Sequence, residues 1–197
     1  MDRIVLASGN QGKVKEFSEL LADVDVSVVP QSDFGVPDVE ETGLTFVENA
    51  IIKARNAAAH TDLPAIADDS GLEVDYLNGA PGIYSARYAG AGGSAANNAK
   101  LLRALEGVDP DARGARFQCV LVFLRHADDP TPLICQGTWE GKILGTEQGE
   151  AGFGYDPLFY VPTEHCSAAE LSADRKNALS HRGQALRCLL AALRDAR

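Results

Sequence analysis

The sequence predicts an α/β fold built as one domain, and three observations carry that prediction. A short apolar run, Ile4-Val5-Leu6-Ala7, breaks into the small polar loop Ser8-Gly9-Asn10-Gln11-Gly12-Lys13 and then a helical pattern of Val14, Phe17, Leu20 and Leu21. A second run, Ala65-Ile66-Ala67, meets Asp68-Asp69-Ser70-Gly71; with Pro64 ahead and Gly71 behind, it reads as a short buried strand that ends at the acidic pair. Phe117 to Leu124 is nearly continuous in apolar residues, as in a central strand covered on both faces. At 197 residues the chain is long enough to bury a sizeable core. No repeat, low-complexity tract or Pro/Gly-rich linker divides it, so residues 1–197 read as one domain.

Composition narrows the function classes. There is no 18-residue apolar run, so no membrane span is expected. Met1-Asp2-Arg3 leads straight into the first strand without a signal pattern, which makes the cytoplasm the expected compartment. The four cysteines, Cys119, Cys135, Cys166 and Cys188, are widely spaced with no C-x-x-C pair, and read as reduced thiols, with Cys119 and Cys135 as small core residues. The four histidines are scattered, against a histidine-rich metal site. A net charge of −10 opposes binding to nucleic acid, but leaves room for a small phosphorylated ligand in a local positive pocket with a divalent cation.

The remaining elements follow in order. Val24 to Val29 reads as a second strand, and Asp38 to Gly43 as an acidic loop. A helix is expected from Leu44 to Ala59, with Leu44, Val47, Ile51, Ala54 and Ala58 facing the core. Asn49, Lys53 and Asn56 form a separate stripe on it. Leu72 to Tyr76 alternates weakly as a strand and leads into the Gly- and aromatic-rich loop Gly79 to Tyr88, a binding wall or a dimer surface. Ala95 to Leu105 is helical, with Leu101, Leu102 and Leu105 inward. Pro132 to Trp139 pairs with the central strand across Asp128-Asp129-Pro130. The C-terminal helix carries Leu186, Leu189, Leu190 and Leu193 on one stripe, with Ser180 as its N-cap.

Several features point to chemistry. Two adjacent aspartates repel, so Asp68 and Asp69 are stable together only where cations or donors face them; the same residues also read as a solvated acidic turn. Backbone amides at the start of the first helix, with Lys13 beside them, form an anion site, although Val14 in place of Ser or Thr departs from a Walker loop. Lys53 is a second candidate phosphate ligand, or an ordinary surface lysine. In Gly152-Phe153-Gly154-Tyr155-Asp156-Pro157 the aromatics can stack on a planar base or simply pack in a tight turn. His181 and Arg182 open the last helix, with Lys176 just upstream. Cations there oppose the macrodipole by about 0.3–1 kcal/mol each, a broken local rule that hints at function. With Glu40 and Glu41, the acidic residues suit a divalent cation and a polyphosphate.

The motifs Ser8-x-Asn10-x-x-Lys13, Glu40-Glu41-Thr42-Gly43, Asn49-Ala50-x-x-Lys53-Ala54, Asp68-Asp69-Ser70-Gly71, Pro81-Gly82, Phe153-Gly154-Tyr155-Asp156-Pro157 and Ser180-His181-Arg182-Gly183 occur in one order across essentially the whole chain. In this the sequence resembles the inosine triphosphate pyrophosphatase family, and Ile83 to Tyr88 resembles its bacterial branch, the dITP/XTP pyrophosphatases. The resemblance implies an elongated single domain with a central mixed β-sheet flanked by helices, and two lobes with a cleft between them. It implies a homodimer and Mg²⁺-dependent cleavage of ITP, dITP and XTP to the monophosphate and pyrophosphate. By position it makes Asp69 the general base and a metal ligand, Glu40 the second metal ligand, and Glu41 and Asp68 supports. It assigns Ser8, Gly9, Asn10, Gln11, Gly12, Lys13 and Lys53 to the triphosphate. Ser70, Phe153, Gly154, Tyr155, Asp156, Lys176, His181 and Arg182 are assigned to the nucleotide pocket, with Phe153 stacking. The alternatives kept beside this reading are a non-catalytic nucleotide sensor and a pyrophosphatase for other modified triphosphates. One departure is local: His165-Cys166 stands where relatives often carry Gly-Lys, from which modest kinetic tuning is expected.

Overall fold

Seven strands form one mixed sheet, with the second strand at one edge, followed by the first, third, fourth, fifth, sixth and seventh in turn. A computed structural model describes residues 3–9, 13, 14, 17 and 27–195. The strands are β1 (Arg3–Leu6), β2 (Ser27–Pro30), β3 (Ala65–Val74), β4 (Gly114–Leu124), β5 (Leu133–Ile143), β6 (Phe159–Val161) and β7 (Cys166–Ser167). The helices are α1 (Phe46–Thr61), α2 (Gly93–Ala104), α3 (Ala173–Leu179) and α4 (His181–Asp195); Lys13, Val14 and Phe17 are also helical. β1 runs parallel to both β2 and β3, whereas β5, β6 and β7 pair antiparallel in succession. Leu20, Leu21 and Val24 to Val26, expected in the first helix and second strand, lie outside the described residues. Among the described residues no helix is long and apolar enough to cross a membrane.

The chain divides into two compact units. One comprises Met1–Asp69, Cys119–Gly137 and Arg182–Arg197; the other comprises Ser70–Gln118 and Thr138–His181. In the first unit, strand alternation sorts the core onto two faces. Ile4, Leu6, Ile66, Cys119, Leu121, Phe123 and Cys135 pack with Phe17 and with Ala185, Leu186 and Leu189 of α4. Val5, Ala7, Ala65, Ala67, Val120, Val122 and Leu124 pack with Ala50, Ala54, Ala57 and Ala58 of α1. β4 is therefore buried on both faces, as its apolar run predicts. In the second unit Leu72, Val74, Leu101, Leu105, Phe117, Trp139, Ile143, Tyr155, Leu158 and Phe159 form a separate core.

Two expectations are corrected. β3 does not end at the acidic pair; it runs through Asp68, Asp69, Ser70 and Gly71 to Val74, absorbing most of the separately expected strand at Leu72–Tyr76. Asp-Asp-Ser-Gly has turn chemistry, but here the aspartates meet cations, so nothing forces the backbone out of its ladder. The helix expected from Leu44 starts two residues later, and Leu44 is 82% exposed rather than in the core. Its start is fixed by Thr45, whose side chain accepts from Glu48 N while Glu48 accepts from Thr45 N, a capping box that places Leu44 ahead of the helix. α3, seven residues capped by Ser172, forms from a short polar sequence with no buried residue.

Candidate active site

The acidic pair owes its environment to the pleat. Successive strand residues point to opposite faces, so Asp68 follows Ile66 toward α4, and Asp69 follows Ala65 and Ala67 toward α1. On the first face Lys13 Nζ lies 2.8 Å from Asp68 Oδ2 and an Arg182 guanidinium nitrogen 3.6 Å from the same oxygen. On the second, Lys53 Nζ donates to Asp69 Oδ1 at 2.9 Å and to Glu41 Oε1 at 2.7 Å. Asp68 is 1% exposed, Asp69 7% and Arg182 4%. These groups all belong to the first compact unit.

The two carboxylates are driven in opposite directions. Burial pushes Asp68 up, but Lys13, Arg182 and Lys53 together outweigh it and hold the group below the ordinary carboxylate range. Burial also dominates at Asp69; its one close lysine is shared with Glu41, whose own charge adds to the upward push, and the result is raised. Lys53 loses proton affinity to burial and regains more from Asp69, Asp68 and Glu41, so it stays charged. Asp68 is thus a fixed anion between two cations, and Asp69 is the carboxylate with the greater appetite for a proton. Asp69 Oδ2 is buried without a hydrogen-bond partner among the described residues, an acceptor that they leave unused.

The loop that brings Glu41 to Lys53 is pinned. Asn49 Oδ1 accepts from Gly43 N at 2.8 Å, and a Cβ on Gly43 would stand 2.8 Å from that oxygen and 2.5 Å from the Glu48 Cβ, so only glycine lets the loop lie this close to α1. Glu41, half-buried, joins the cluster, whereas Glu40, the carboxylate expected as a metal ligand, is exposed. Among the described residues no three His, Cys, Asp or Glu side chains form a ready-made cation cage. Ser8 is half-buried and Gly9 exposed at the end of β1; Asn10, Gln11 and Gly12 lie outside the described residues.

The second unit holds the other expected pocket residues. Asp156 Oδ2 accepts from Phe153 N at 2.8 Å and from Lys176 Nζ at 2.7 Å, and that ammonium sits 4.9 Å from the Phe153 ring centroid. Gly152 and Gly154 take positive φ around Phe153, and a Cβ on Gly152 would strike the Asp156 carboxylate. The loop therefore holds the Phe153 ring outward, 45% exposed. Tyr155 turns the other way: it is buried, its hydroxyl donates to Ser85 O at 2.8 Å and ties the loop there, and burial raises its proton affinity. His181 is buried in stacked contact with Phe117 at 4.8 Å and 13°, and with Trp139 at 6.5 Å. Phe117 and Trp139 belong to no motif in the sequence; their inward positions on β4 and β5 are the signal it carries. Ser70 follows Asp69 on β3, partly exposed.

Comparison with known proteins bears on the whole chain. The Ham1 family model matches residues 4–192. A protein of Thioalkalivibrio sulfidiphilus named dITP/XTP pyrophosphatase is 66% identical, covering 95% of this chain and 96% of its own length. A Vibrio cholerae protein of the same name is 63% identical over 100% of this chain and 99% of the relative. The structure of a HAM1 protein from Coxiella burnetii superposes with a TM-score of 0.94 at 54% identity, covering 99% of this chain and 100% of that one. With the fold, the motif order and full-length identity in agreement, this chain belongs to the Ham1 family.

Proposed function

We propose that this chain, acting as one nucleotide pyrophosphatase domain over residues 1–197, hydrolyses deaminated purine nucleoside triphosphates (ITP, dITP and XTP) to the monophosphate and pyrophosphate. The relatives' names support the reaction. The observation that carries the residue assignment is the division between neighbouring aspartates, one held anionic by Lys13 and Arg182, the other raised in proton affinity with one buried oxygen unbonded among the described residues. Asp69 Oδ2 takes the proton from the attacking water as the α-phosphorus is approached. Lys53 holds Asp69 Oδ1, so the accepting oxygen is oriented, and Lys13 and Lys53 offset charge growing on the phosphate oxygens. Ser8 to Lys13 hold the triphosphate.

A divalent cation, assigned here as Mg²⁺, fits the donor set. Mg²⁺ is commonly held by one or two carboxylates with substrate phosphates completing its shell, and the unbonded oxygen of Asp69 with Glu40 as second ligand, supported by Glu41 beside it, supplies such a partial set. When bound, it would neutralise phosphate charge and polarise the phosphoryl oxygens.

The base is assigned to Ser70, to Phe153 as stacking partner on the Gly154–Asp156 loop, and to the donors of Lys176, His181 and Arg182. A 6-oxo group accepts from such donors, whereas the adenine amino group leaves each buried donor unpaired, at about 1–3 kcal/mol apiece. The chain is further proposed to work as a cytoplasmic homodimer, with neither nucleic acid nor membrane as partner. The test is product analysis across ATP, GTP, ITP and XTP, with and without Mg²⁺. Pyrophosphate should appear from ITP and XTP only with the cation; orthophosphate as first product, or equal turnover of ATP, overturns the reading.

A further inference from the structure

We propose that Cys135 and Cys188 are a paired oxidative-modification site, forming a reversible disulfide that ties β5 to α4. The two residues are 53 positions apart in the chain, yet their sulfurs lie 2.8 Å apart, with the Cys188 thiol directed at Cys135 Sγ. Both are free thiols. Closing them into a bond takes only about 0.8 Å of further approach between the sulfurs. Cys119 and Cys166 have no such neighbour among the described residues.

The pair is asymmetric in the way a redox couple requires. Cys188 is exposed and open to an oxidant, whereas Cys135 is buried in the core beside α4. Burial, with Cys188 beside it, pushes the Cys135 thiol up to about 12, which leaves it protonated and unreactive until a partner is oxidised. With hydrogen peroxide as oxidant, the Cys188 sulfur attacks one peroxide oxygen, the O–O bond breaks and water leaves, giving a sulfenic acid. Cys135 Sγ then attacks Cys188 Sγ; the S–O bond breaks, and the Cys135 proton leaves with the departing hydroxide as the second water. Two thiols are oxidised by two electrons and one peroxide is reduced to two waters. The bridge braces α4 against β5 below the turn that carries His181 and Arg182, so oxidation stiffens the helix without consuming a residue of the proposed site.

The full chain, treated with hydrogen peroxide, is then unfolded in guanidinium chloride, alkylated with a maleimide, digested without reductant and read by mass spectrometry. The expected result is a linked Cys135/Cys188 peptide pair, loss of two of the four alkylatable thiols, and a higher Tm than the reduced chain, all reversed by dithiothreitol. Cys188→Ser, at an exposed position that folding tolerates, should give neither link nor Tm shift. The proposal is overturned if Cys188 accumulates as sulfinic acid with Cys135 still reduced. It is equally overturned if the bond joins two chains or engages Cys119 or Cys166, or if the linked chain melts no higher.

Discussion

Asparagine at each aspartate in turn separates the fixed anion from the reacting one. Asp68→Asn leaves Lys13 and Arg182 facing a neutral oxygen, with Arg182 only 4% exposed. Breaking a buried pair by removing one partner costs about 3–5 kcal/mol. The Lys13 side chain retains 17% exposure and can regain some hydration, which argues for the lower end, about 3 kcal/mol. At about 2–4 °C per kcal/mol for a chain of this size, Tm falls by roughly 6–12 °C. Asp69→Asn keeps the Lys53–Glu41 pair and removes a carboxylate whose charge burial already disfavours, so Tm moves by less than about 3 °C. Its turnover of ITP should nonetheless fall about 10²–10⁴-fold, the usual contribution of a general base. The pH dependences run oppositely. The depressed Asp68 contributes stability above its unfolded value of about 3.9 and loses it as pH falls, so the wild-type advantage over Asp68→Asn narrows below about pH 4. The raised Asp69 costs stability as pH rises through its folded value, so any gain from Asp69→Asn is largest at neutral pH. Thermal melts in chelator and pyrophosphate-release rates read both. An Asp68→Asn chain melting with the wild type, or an Asp69→Asn chain at wild-type turnover, refutes the assignment.

Other perturbations test separate parts of the molecule. Phe153→Ala removes the exposed ring assigned to base stacking, worth about 1–3 kcal/mol, and should raise KM for ITP about 5- to 150-fold with kcat little changed; steady-state kinetics would show an equal loss in kcat if the ring served chemistry instead. Thr45→Ala deletes the α1 capping box and should cost about 1 kcal/mol in urea titration, while an unchanged midpoint would remove the cap from the account of where α1 begins. His165 holds φ 56°, a left-handed conformation that penalises a side chain, so His165→Gly should stabilise by up to about 1 kcal/mol, and a loss of stability in the same titration would show that the imidazole itself is needed.

The parts of the fold written as local patterns were legible. β1, β4 and the Leu186–Leu193 stripe announce themselves by period and apolar content, and the structure buries them accordingly. What the local pattern cannot carry is compensation from afar. Asp68-Asp69-Ser70-Gly71 reads as a chain break because the cations that let it stay a strand come from Lys13, Lys53 and Arg182, distant in sequence. Leu44 fits the helical period and still stays outside, because a hydroxyl one residue later sets the first turn. Glu40 and Glu41 are indistinguishable as letters; the Asn49–Gly43 hydrogen bond pins the loop from which Glu41 reaches Lys53. Tyr155, grouped with Phe153 by its loop, is committed to Ser85. The proximity of Cys135 and Cys188 is likewise a property of how β5 and α4 pack, invisible at a spacing that resembles no motif.

The pleat of β3 has an evolutionary corollary. Because Asp68 and Asp69 owe their different characters to opposite sides of one ribbon, inserting or deleting a single residue between Ala65 and Asp69 would exchange their surroundings, handing the reactive group to Arg182 and Lys13 and the inert one to Lys53. Point changes act by degrees instead: Arg182 on α4 bears on Asp68, whereas Lys53 on α1 pairs with Asp69 and also helps to hold Asp68 charged. Substitution can therefore tune proton affinity and anion strength in small steps, whereas a length change in those five positions exchanges them outright.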